Sequence, residues 1–134
     1  MTSLNTVLIV EDEALLRFSL ADALASSGYA VVEAANALEA VAALGIHEEI
    51  DAVITDVDMP GPLNGLDLAR LLSLSRRDLA LIVTSGRSIE ADALPDGAGF
   101  LPKPYDIASL LKEISERSRR HLTRRRLSSK GAKT

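Results

Sequence analysis

The chain contains no cysteine, which rules out disulfides and thiolate metal sites and suits a reducing compartment. It has no tryptophan, two tyrosines and two phenylalanines, so its core must be aliphatic, built from Ala, Leu, Val and Ile. No apolar run approaches the roughly 18 residues a membrane span requires. The opening Met1-Thr2-Ser3-Leu4-Asn5-Thr6 lacks a basic stretch followed by a long apolar one, so it does not read as a secretion signal. These absences point to a soluble cytoplasmic protein with no membrane partner. No internal repeat is visible.

Charge of one sign is also scarce where it matters. The formal net charge is -4, with 15 basic and 19 acidic residues. Eight of the basic residues lie at or beyond Ser115, against one acid, Glu116, leaving residues 1–114 at -11. An acidic body is a poor nucleic-acid binder. The basic tail is too short for a helix-turn-helix and lacks aromatics that could stack on bases. It reads as a solvated helix extension that gives way to disordered chain, with salt-sensitive DNA binding as the test of the opposite view. At 134 residues, the chain suffices for one domain with a proper core. We expect that domain over 1–118 and the tail over 119–134.

Strand and helix patterns alternate throughout. Thr6 to Val10 is apolar throughout, as expected of a strand covered on both faces. Glu13 to Ser27 reads as a helix, with Leu16, Leu20 and Leu24 on one face and Gly28 as its stop. Tyr29 to Glu33 reads as a second strand. Asn36 can cap a helix from Ala37 to about Gly45. Ala52 to Thr55 is a third strand. A Pro/Gly-rich loop from Met59 to Asn64 leads into a third helix, Gly65 to Ser75. Leu79 to Thr84 is a fourth strand. A weak helix over Ile89 to Leu94 is cut short by Pro95, and Ala98 to Leu101 is a fifth strand. Asp106 caps a last helix starting near Ile107. Five strands and five helices in strict alternation imply an α/β fold, a five-stranded parallel doubly wound sheet, with the fourth helix short or mobile.

Three strand ends carry charge: Glu11-Asp12-Glu13 after the first strand, Asp56-Val57-Asp58 after the third, and Lys103 between two prolines after the fifth. In an open parallel sheet the carboxyl ends of the strands form the ligand crevice. Gathering Glu11, Asp12 and Asp56 there gives the oxygen-rich set that hard cations such as Mg2+ prefer. Lys103 adds a mobile point charge suited to a phosphoryl group. Each residue has a plainer reading when taken alone. Asp56 could cap the turn before a Pro-Gly loop, Glu11 and Asp12 could complement a helix dipole, and Lys103 could be a solvated loop lysine. Thr84 could be an ordinary strand residue, and Phe100 an ordinary core residue.

Taken in order and at these spacings, the motifs resemble the receiver domain of two-component response regulators, over residues 5 to about 118. The resemblance implies the flavodoxin-like receiver fold and a function for each residue. Asp56 would be the phosphoacceptor, its carboxylate attacking phosphorus to give an acyl phosphate. Asp12 would ligate Mg2+ directly and Glu11 through water, with Asp56 and the backbone carbonyl of Asp58 completing the protein ligands. Lys103 would reach the phosphoryl oxygens, with a cis bond to Pro104 aiming it. Thr84 would be the switch hydroxyl and Phe100 the switch aromatic, biasing a bistable loop. The partners implied are a sensor histidine kinase or phosphotransfer protein and an unidentified downstream protein. The chain would be a monomer or weak dimer. It would catalyse its own phosphorylation and dephosphorylation without being a metabolic enzyme.

Two departures from the family pattern stand out. The loop from Pro60 to Gly65 is about one residue longer than the commonest form. The segment between Thr84 and Phe100 is shorter, which puts the usual output surface in doubt. Nothing after residue 118 reads as an effector domain, so the expectation from the resemblance is a stand-alone regulator, with a phosphate sink lacking a dedicated output as an alternative. A Mg2+-dependent phosphohydrolase of the haloacid dehalogenase type is the main rival, because Asp56-Val57-Asp58 fits its Asp-x-Asp nucleophile motif. That motif normally follows the first strand, and turnover of a small phosphomonoester would reveal it. A nucleotide- or flavin-binding fold needs a Gly-rich phosphate loop where Glu11-Asp12-Glu13 stands.

Overall fold

A computed structural model describes residues 6–117. The expected tail, 119–134, lies outside the described residues. The elements are β1 (Thr6–Val10), α1 (Ala14–Ser26), β2 (Ala30–Ala34), α2 (Ala37–Ile46), β3 (Ala52–Asp56), α3 (Gly65–Ser75), β4 (Ala80–Ser85), a 3-10 turn (Ala91–Ala93) and β5 (Gly99–Pro102). A further helix, α4, covers 107–117. All strand pairs are parallel, in the order β2-β1-β3-β4-β5. The fold is therefore the doubly wound α/β sheet that the alternation implies. The position expected for a short fourth helix holds only the 3-10 turn. Pro95 follows it closely and cannot donate the bond that would carry the helix on.

Strand pleating sorts the aliphatic residues onto two faces. Val7, Ile9 and Ile54 pack with Leu20 and Leu24 of α1 and Leu110 and Ile114 of α4. Leu8, Val10 and Val53 pack with Ala40 and Leu44 of α2 and Leu68 and Leu72 of α3. A smaller cluster joins Val57, Leu66, Ala69 and Val83 to Ile89, Ala93, Leu94 and Phe100. This third cluster helps hold the segment after β4 onto the body.

The register aligns the carboxyl ends. Val10 pairs with Thr55, Asp56 with Thr84, and Ser85 with Pro102. Strand boundaries differ from the sequence reading by about one residue, and the shift at β3 matters. The strand runs through Asp56 instead of stopping at Thr55, so the Asp56 backbone is held within the sheet. Strand order reverses between β1 and β3, which places the crevice over those two ends.

Candidate functional site

Glu11 directly follows β1. Its N–H donates to the Ala34 carbonyl at 3.0 Å, and its buried side chain accepts the Glu13 N–H at 3.1 Å. Asp56 is also buried. The Lys103 ammonium lies 3.3 Å from Glu11 Oε1 and 3.4 Å from Asp56 Oδ1. Its own N–H donates to the Ser85 carbonyl at 2.7 Å, which ties the lysine's backbone to the end of β4. The Lys103–Pro104 bond is cis. Glu11, Asp12 and Asp56 can each offer an oxygen, all within 4.8 Å of one another. That oxygen donor set fits a hard divalent cation such as Mg2+.

Burial pushes the Asp56 carboxyl above its ordinary range. Lys103 opposes the shift, and the neighbouring Asp58 and Asp12 charges reinforce it. Glu11 is raised for the same first reason, burial, against the lowering effects of the Glu13 N–H and Lys103. Burial disfavours the Lys103 ammonium, but Asp56 and then Glu11 outweigh it and draw its pKa upward. Tyr105, packed against the core cluster of β1, α1 and α4, is pushed up to about 12 by burial and by the Glu11 and Asp56 charges. Two buried acids sharing one ammonium leave an excess of negative charge, and an added cation can offset it.

Thr84 is buried at the end of β4, beside Asp56 in the register. Phe100 is half-buried against the third cluster. The Asp58 side chain meets Arg87, with contacts of 3.2 and 3.3 Å from the guanidinium fork. The structure thus brings together Glu11, Asp12, Asp56 and Lys103, sets Thr84 alongside, and leaves Phe100 in the packing of the following segment.

Sequence reasoning missed four residues around this site: Arg17, Gly65, Arg87 and Tyr105. Arg87 and Arg17 act through side chains that reach across elements, which no local pattern announces. Gly65 carried a usable signal. Asn64 and Asp67 form a reciprocal capping box around it at 2.9 and 3.0 Å, and a glycine inside a capping box invites the question of what crowds it.

A parallel five-stranded sheet with an acid triad and a lysine at its carboxyl edge defines the class. The sequence matches the response regulator receiver domain family over residues 7–115, and the chain belongs to that family. It is 40% identical over 116 residues to the sensor kinase CckA of Brucella abortus, covering 83% of this chain and 12% of that protein. It is 39% identical over 112 residues to the transcriptional regulatory protein PdtaR of Mycobacterium tuberculosis, covering 81% of this chain and 54% of the relative. The chain therefore spans between about an eighth and a half of the length of these relatives. A response regulator receiver protein from Pseudomonas putida superposes with a TM-score of 0.75 at 35% identity, covering 87% of this chain and 99% of that one. Receiver domains are signalling modules of two-component systems. No helix among the described residues is long and apolar enough to cross a membrane.

Proposed function

We propose that this protein is a phosphorylation-switched response regulator that accepts a phosphoryl group on Asp56 from a histidine kinase or phosphotransfer protein. The observation that carries the reading is the placement of Lys103 Nζ within 3.4 Å of both Glu11 and Asp56, at the edge of a triad of acids. Asp12 and Asp56, the Asp58 carbonyl and, through water, Glu11 would hold Mg2+, which when bound offsets the charge of the incoming phosphoryl group. An Asp56 oxygen attacks phosphorus in line. The bond from phosphorus to the donor breaks, and the donor's leaving group departs with the electron pair. Lys103 gives up part of its contact with the two acids and pairs with a phosphoryl oxygen. Thr84, beside Asp56, donates its hydroxyl to another and draws the following loop inward. The product is an acyl phosphate, and the output is contact with another protein.

Intact mass after mixing with Mg2+ and acetyl phosphate tests the reaction. One added phosphoryl mass, labile in alkali, is expected. It should be absent in Asp56→Asn and reduced at least about tenfold in Asp12→Ala, in keeping with the loss of a metal ligand. Equal labelling of Asp56→Asn and wild type would sink the assignment.

The switch has its own test. Residues 86–98 contain one 3-10 turn and few backbone hydrogen bonds, and they are tied down by the third cluster and by Arg70, whose guanidinium donates to the Ala93 carbonyl at 3.0 and 3.2 Å. Such a segment opens locally at low cost. With Mg2+ and beryllofluoride, hydrogen exchange over 85–99 should slow about tenfold, equivalent to about 1.4 kcal/mol. Thr84→Ala should still take up the phosphoryl mimic but show less slowing. Identical exchange with and without the mimic would place the switch elsewhere.

A further inference from the structure

The Asp12 carboxylate is exposed, and among the described residues no hydrogen bond or ion pair holds it. The backbone that delivers Asp12 therefore sets where its side chain starts and which rotamers bring the carboxylate toward Asp56. The peptide leading into Asp12 begins with the Glu11 carbonyl. A peptide unit is planar, so fixing that oxygen fixes the plane from which Asp12 departs. Arg17 Nη1 donates to the Glu11 carbonyl at 2.9 Å. The same guanidinium donates from Nε to Glu33 Oε1 at 3.2 Å. Glu33 lies on β2, in register with Ile9 of β1, so the anchor is part of the sheet.

The route is short. Arg17 sits in the first turn of α1, where its N–H donates to the Glu13 carbonyl at 2.9 Å. Long helical side chains lean toward the helix N-terminus, and from here that means toward the end of β1. The Arg17 side chain is mostly buried, 15% exposed against 36% for Glu33, and its guanidinium carbon lies 5.1 Å from the Phe18 ring centroid. Two directed bonds from one planar fork give an orientation that a lysine's point charge does not reproduce. The Glu11 main chain is thus held on both sides, by Ala34 through its N–H and by Arg17 through its carbonyl.

We propose that Arg17, anchored by Glu33, is a positioning residue for the cation site: it sets the Glu11–Asp12 peptide so that the Asp12 carboxylate faces Asp56. This rests on the reading of the acid triad as a Mg2+ site. Groups behind metal ligands commonly change affinity by about 10- to 100-fold when removed. A purely electrostatic role predicts the opposite sign, because deleting a cation near three acids should tighten Mg2+ binding.

The test is Mg2+ titration of the full chain by calorimetry, with thermal unfolding of each variant followed by circular dichroism. Arg17→Met keeps the apolar stem and is expected to weaken Mg2+ binding about tenfold while the folded spectrum is retained. Arg17→Lys should restore less than half of that loss on a logarithmic scale. If Arg17→Met does not fold, Arg17→Lys takes its place as the deciding variant, since it keeps the charge and loses the second directed bond, with an expected weakening of at least about threefold. Equal or tighter Mg2+ binding in the deciding variant overturns the proposal while leaving the function intact. Full recovery by Arg17→Lys also overturns it, since charge alone would then suffice. Failure of wild type to bind Mg2+ at all would overturn the functional reading, and this inference with it.

Discussion

Gly65→Ala is expected to lower stability by about 3 kcal/mol, at the upper end of what overpacking usually costs. The variant should also lose most phosphoryl labelling at Asp56. An ideal Cβ on Gly65 would run into the Asp56 carbonyl oxygen and would lie 2.6 Å from its carbonyl carbon and 2.9 Å from the Val57 Cα. All three are backbone atoms, so no side chain can rotate aside. The reason for glycine here is space, because the first turn of α3 runs directly against the end of β3. That approach is fixed by the Gly65 N–H, which donates to the Val57 carbonyl at 2.9 Å, and by the capping box of Asn64 and Asp67. Alanine favours a helix over glycine by up to about 1 kcal/mol, too little to offset the clash. Relief requires α3 or the Asp56 peptide to move, and the second option displaces the carboxylate that lies 3.4 Å from Lys103. Gly45→Ala is the control. It lies inside α2 with nothing within 4 Å of the new carbon, and it should be neutral or stabilising by up to about 1 kcal/mol. Urea unfolding of the two variants decides the matter. Equal stability of Gly65→Ala and wild type would mean that the contact between α3 and β3 is loose.

The part of this site that could be read from the sequence is the part built by strands. An apolar run followed by charge identifies a strand and its end at once, and parallel topology then brings Glu11, Asp56 and Lys103 to one edge without further information. Asp56 illustrates the limit of that reading. The run Ala52 to Thr55 identifies the strand, but the inclusion of Asp56 depends on its pairing with Thr84 across β4. The acids also carry a cause of perturbation that their spacing hides. Repulsion between carboxylates is visible from the sequence, whereas burial, the larger cause for both Glu11 and Asp56, exists only once the sheet and its loops have closed. Arg87 and Arg70 were illegible for a related reason. Arg87 meets Asp58 at a separation of 29 residues, and Arg70 meets Ala93 at 23. Long flexible side chains find such partners through tertiary placement, with no periodic signature. The 3-10 turn lies between these cases. Pro95 marks where it must stop, whereas the packing of Ile89, Ala93 and Leu94 into the small third cluster appears only in the fold.

Removing the charge of Asp56 is expected to stabilise the metal-free protein at neutral pH, although Lys103 loses a partner. Burial raises Asp56 from 3.8 and Glu11 from 4.5, so just above those values the folded chain binds more protons than the unfolded chain. Stability must then fall as pH rises through the window that begins near 4 and ends at the raised folded values. Above that window the ionised acids oppose the metal-free fold. Lys103 works in the other direction. Its pKa is raised above 10.5, so its contribution is fully present below that value and is lost as pH climbs through the folded pKa. In Asp56→Asn, the gain over metal-free wild type should therefore be clear at pH 7 and should shrink as pH is lowered through that window and the wild-type carboxyl takes up its proton. Mg2+ reverses the order at neutral pH. At a hundredfold excess over its Kd it should add about 2.7 kcal/mol to wild type. Most of that gain should vanish in acid, where protons compete for the same oxygens, and in Asp56→Asn, which lacks a ligand charge. Urea unfolding between pH 4 and 8, with Mg2+ and with a chelator, measures all four curves. A metal-free Asp56→Asn that is less stable than wild type at pH 7 would mean that the Lys103 contact fully offsets the cost of burying the carboxylate, and that no excess negative charge is left for a cation to neutralise.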